Sequence, residues 1–149
     1  MLDKLASLSK SLNEASDELT EQIAHIEAVL SDLRLGVWAW VDLIEEPTYE
    51  KQDDGKLMQF TRKVQLGYGK KGRAWGLLIA EGCDEFWEED NIEVSFLRDA
   101  PRDVRVAAVD KLPDLLQEIA DKTAKAVQEV TEKAAKAKEI ATAVGKKRR

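Results

Sequence analysis

Leucine or isoleucine recurs at Leu5, Leu12, Leu19, Ile26 and Leu33, every seventh residue from near the start of the chain. A seven-residue repeat returns to one side of an α-helix, so these side chains form an apolar seam that their own helix cannot bury. A second surface has to cover it. With Leu5 taken as an a position, Leu8, Ala15, Gln22 and Val29 fall at d, while Ile23 and Leu30 widen the stripe. Gln22 is a polar break of the kind that fixes register or oligomer state at a cost in stability. The seam predicts a coiled-coil-like helix over 1–34 and marks its five a residues as a partner-binding surface, for self-association or for another protein.

Gly36 is expected to end that helix, because the hydrophobic period then falls from about 3.5 to 2. Val37, Ala39, Val41 and Leu43 alternate with Trp38, Trp40, Asp42 and Ile44, which predicts a strand apolar on both faces, closed at Pro47. Asp53-Asp54-Gly55 is a turn signal. Clean alternation follows from Lys56 to Tyr68, then Gly69-Lys70-Lys71-Gly72 as a tight connection to a strand carrying Trp75, Leu77 and Ile79. Ile92, Val94 and Phe96 give a shorter fourth strand. Residues 35–98 therefore read as a four-stranded antiparallel meander.

Asp99 and Pro101 read as the start of a helical region over 99–144, with Asp99 as the cap and Pro101 in the first turn. Pro113 predicts a kink or break near Lys111, since proline lacks the N–H that the helix ladder needs. Beyond it Leu116, Thr123, Val130, Ala137 and Val144 form a second, smaller seam, and Gly145 is expected to end the helix before a basic tail over 145–149. Each arm is predicted to hold about 30 helical residues, about 45 Å in length. The expected fold is a single α+β domain over 1–149: the meander lies between the long N-terminal helix and a kinked C-terminal helical region. The arms then either pair as one stalk or each meet another subunit.

Charge is uneven. Residues 1–100 hold 11 Lys and Arg against 21 Asp and Glu, whereas 101–149 hold 12 against 8. An acidic body disfavours broad attraction to nucleic acid and leaves only a local basic pole. No run of 18 apolar residues occurs, and Met1–Lys10 begins the heptads instead of forming a basic segment ahead of an apolar one. With Cys83 as the sole cysteine, no intramolecular disulfide can form, and the expectation is a cytoplasmic protein without a membrane span.

No motif of a named activity emerges. Gly67, Gly69 and Gly72 have phosphate-loop spacing, but strand follows them where a dinucleotide site needs a helix, so hairpin-turn glycine is the stronger reading. The run Asp84, Glu85, Glu88, Glu89 and Asp90 has the oxygen ligands for a divalent cation without calcium-loop spacing, and reads first as a solvated loop with Phe86 and Trp87 folded back. One cysteine and one histidine, His25, exclude structural zinc by ligand count. Cys83, among acids, is expected to be a poor thiolate. Trp38 and Trp40, with Trp75 and Tyr68 across from them, read first as sheet-to-helix packing, second as a protein-binding face and third as a base-stacking surface. The leading expectation is a non-enzymatic assembly module with no cofactor and no metal, binding a partner through Leu5, Leu12, Leu19, Ile26, Leu33, Trp38 and Trp40. The alternatives are nucleic-acid association through Lys70, Lys71, Lys146, Lys147, Arg148 and Arg149, or a small enzyme with a carboxylate site drawn from Asp42, Glu45 and Glu46.

Overall fold

The computed structural model describes residues 1–147 and contains two long helices and one sheet. Helix α1 spans Leu2–Asp32, strands β1 to β4 span Ala39–Lys51, Leu57–Lys71, Ala74–Cys83 and Glu93–Phe96, and helix α2 spans Arg102–Lys147. The strands pair antiparallel in chain order, an α+β meander.

Sheet alternation sorts the strands into two faces. Ala39, Val64, Leu66, Tyr68, Leu77 and Ile79 join one core with Ile23 and Leu30 of α1 and Val104, Ala108, Leu112, Leu115 and Ile119 of α2. The spacing of these α2 residues follows the helical turn, so one stripe meets the sheet. Helix α2 lies mainly over β1 and β2, and α1 lies along β3.

The structure departs from the sequence reading at several breakers. Strand β1 continues through Pro47, which pairs opposite Thr61. β1 is an edge strand, where the N–H that proline lacks has no ladder partner to lose. A bulge between Asp42 and Ile44 shifts the register, turning Ile44 to pair with buried Val64 on the core face instead of sharing the face of Trp40. Strand β2 runs on to Lys71, so the connection is only Gly72-Arg73, with Gly72 at φ +64°. Glycine at the first central position fits the hairpin turn whose twist matches its strands. Helix α1 ends at Asp32, and Arg34 at φ +50° makes the reversal ahead of Gly36. Helix α2 is one unbroken element of 46 residues through Pro113, and it continues past Gly145. Leu112, Leu115 and Ile119, buried on either side of the missing hydrogen bond, hold the helix to the sheet across it.

The two helices run in the same direction. Arg105, near the start of α2, donates to the Ser16 carbonyl and the Thr20 hydroxyl of α1, while Leu35, just past the end of α1, shares a depression with Thr123, Ala126 and Val130 of α2. Their free ends therefore point opposite ways, and the antiparallel stalk within one chain does not form. Residues 2–15 of α1 overhang one end by about 21 Å, and residues 132–147 of α2 overhang the other by about 24 Å.

Candidate interaction surfaces

The heptad seam divides along α1. Ile26 and Leu19 pack against the core, whereas Leu5 and Leu12 are 53% and 47% exposed. Leu2 and Leu8 are exposed beside them, and Leu33 is exposed past the helix end. The overhang thus carries Leu2, Leu5, Leu8 and Leu12 as an uncovered apolar row. A helix segment polar on every side would stay solvated alone; this one presents leucine at each turn.

Polar contacts add to the apolar packing of Ile23 and Leu30 in fixing α1 on the sheet. Strand β4 pairs with β3 only over Leu78–Glu81, which leaves the edge open at Trp75 and Leu77. Glu27 accepts the Leu77 N–H at 2.8 Å, and Ser31, one turn later, donates to the Trp75 carbonyl at 3.2 Å. Glu27 is buried, only 8% exposed, and also pairs with Arg98, whose guanidinium lies 4.3 Å from the centre of the Phe96 ring. The helix side chains stand in for the missing strand. Burial raises the Tyr68 phenol above its ordinary value, and the nearby Glu27 charge adds to the shift. Sequence patterning missed Glu27 and Arg98, because an acid inside a charged helix looks like a solvated face.

Trp40 belongs to the sheet face away from the helices, in register with Gly67, Leu78 and Phe96. Its ring occupies the space above Gly67, and the Trp38 ring does the same at Gly69, so a Cβ at either glycine would overlap indole carbons. Sheet-to-helix packing is therefore not the role of this pair. Trp38 remains 49% exposed, with its ring centre 5.8 Å from that of Trp75, while Trp75 and Tyr68 pack with the core. The signal was present as matched spacing: Trp-x-Trp leading into one strand, Gly-x-Gly in its antiparallel neighbour. Farther along this face Trp40, Gln65, Ala80, Trp87, Ile92 and Val94 line a shallow depression. Trp87 is folded back as expected, with Lys63 5.0 Å from its ring centre; Phe86 stays half exposed against Phe60.

The remaining candidates are scattered or neutralised. Lys70 and Lys71 are exposed beside the hairpin turn, where Lys71 lies 5.5 Å from the Phe96 ring centre. Lys146 and Lys147 end the α2 arm, about 22 Å beyond Thr131, and Arg148 and Arg149 lie outside the described residues. Asp42 accepts from Gln65, and Glu45 is exposed. Glu46 and Glu81 both bond Arg62 at 2.6 Å, which holds that guanidinium above its ordinary value. Glu85 accepts from the Thr61 N–H and the Cys83 thiol; the thiol bond and then the amide hold its carboxyl down at about 2, while the Cys83 thiol is raised. Cys83 is thus a poor thiolate, as its acidic setting implied. Among the described residues, no three His, Cys, Asp or Glu side chains converge to hold a metal ion, and no helix is long and apolar enough to cross a membrane. No known protein family, characterised protein or solved structure matches this chain.

Proposed function

We propose that this chain is a non-enzymatic assembly or protein-binding module of the cytoplasm that self-associates through its N-terminal helix. The observation that supports the reading is the row Leu2, Leu5, Leu8 and Leu12, exposed on a segment that projects past its own core. Covering a leucine fully is worth about 1.5–3 kcal/mol, so the row offers several kcal/mol gross to a partner before ordering costs are met. Leu19 and Ile26 take a different part, anchoring the helix, and Trp38 and Trp40 offer a second contact surface at the β1 side of the sheet.

The test is molar mass by sedimentation equilibrium over a hundredfold concentration range, for the natural chain and for Leu5→Asp with Leu12→Asp. Both positions are exposed, so helicity by circular dichroism should be unchanged. A concentration-dependent mass that returns to the monomer value in the variant is expected. A natural chain that stays monomeric throughout would refute self-association.

A further inference from the structure

We infer that the leucine arm of α1 docks on the alanine-rich arm of α2 from a second copy of this chain, not on another α1 arm. This rests on the self-association proposed above and names the surface that receives the leucines. Within one molecule the two arms overhang opposite ends of the sheet, so α1 cannot reach its own α2 arm. In another copy that arm is presented along most of its length, beyond the turns that meet Leu35: Val127, Val130, Ile140 and Val144 are each more than half exposed.

Charge selects this pairing over the two alternatives. Ahead of its first buried residue, Ile23, helix α1 holds two lysines against five carboxylates; past its last, Ile119, helix α2 holds seven lysines against four. Two α1 arms would bring together net charges of −3 each and two α2 arms +3 each, whereas the mixed pair joins opposite signs. Such complementarity decides between partners more than it adds raw affinity. Shape agrees with charge. Val130, Ala134, Ala137, Ala141 and Val144 recur at alternating spacings of four and three, a shallow row in which large leucine knobs can seat close to the facing helix.

The experiment compares the full-length chain with two neutral variants, Leu5→Gln/Leu12→Gln on α1 and Val130→Gln/Ala137→Gln on α2, by sedimentation equilibrium alone and mixed in equal amounts. All four positions are exposed, and glutamine keeps the helix. Each variant alone should associate at least tenfold more weakly than the natural chain, and the mixture should recover heterodimer, because it holds one intact leucine arm and one intact alanine arm. Association of the natural chain should also weaken from 50 to 500 mM salt as screening removes the attraction; pairing of like-charged arms would strengthen instead. An α2 variant that associates like the natural chain, or a mixture that stays monomeric, overturns this inference while leaving self-association standing. A natural chain monomeric at every concentration overturns both.

Discussion

Glu27→Ala should be the most damaging single truncation of a charged side chain in α1, and its cost can be worked from the contacts. The carboxylate accepts the buried Leu77 N–H and pairs with Arg98. Leaving the amide without a partner costs about 1–3 kcal/mol. The Arg98 interaction is charge-assisted, a class worth about 1.5–3 kcal/mol, yet the Arg98 side chain is 37% exposed and can turn to water, so the lower end applies. Together these give about 3 kcal/mol, or a melting point lower by about 6–12 °C for a chain of this size. Glu27→Gln retains an oxygen for Leu77 and loses only the charge, so it should cost about 1 kcal/mol. Urea unfolding with an unchanged m-value would report both. In a double-mutant cycle, Arg98→Met should cost much less in the Glu27→Gln background than in the natural chain. If Gln is as harmful as Ala, or if both fall within about 0.5 kcal/mol of the natural chain, the idea that α1 closes the β3 edge through this carboxylate is wrong.

Three further outcomes concern the α2 proline and the Glu85–Cys83 pair. Pro113→Ala restores an N–H inside a continuous helix and relieves the ring's clash, so it should stabilise by about 1–3 kcal/mol; destabilisation on urea unfolding would mean the proline shapes a bend that the core requires. The Glu85 carboxyl carbon should titrate by NMR near pH 2, and because this folded-state value lies below the unfolded one, its contribution to stability is full above about pH 4.5 and is lost as pH falls through 2. Glu85→Gln should in turn let the raised Cys83 thiol fall toward its ordinary value and speed its alkylation at pH 8; an unchanged rate would show that the hydrogen bond does not hold the thiol.

Element types were legible in the sequence because period and punctuation carry them: the heptads of α1, the alternation of β2 and the short run before Phe96 all became what they signalled. Breakers were less readable. Pro47 and Pro113 look like stops in isolation, yet one sits where an edge strand needs no donor and the other where buried neighbours on both sides hold the helix. A heptad repeat also cannot say which of its turns lie on the sheet. Leu19 and Leu12 occupy the same phase, and only the length of the sheet makes one an anchor and the other an overhang. The bulge at Leu43 has no compositional mark, and Arg105 looks like any other charged residue of a helix until the fold brings Ser16 and Thr20 beside it.

Parallel helices with opposed overhangs also govern how this molecule moves through solution. From the tip of α1 to the end of α2 the two offset helices together span about 85 Å, whereas a compact chain of 149 residues, with a radius of gyration of about 15 Å, is a globule about 40 Å across. A rod-like monomer of 16.7 kDa carries far more friction than its mass suggests, so it should elute early from a sizing column and tumble anisotropically even when alone. Stokes radius would then imitate a dimer, and only a shape-independent mass separates an elongated single chain from a true assembly.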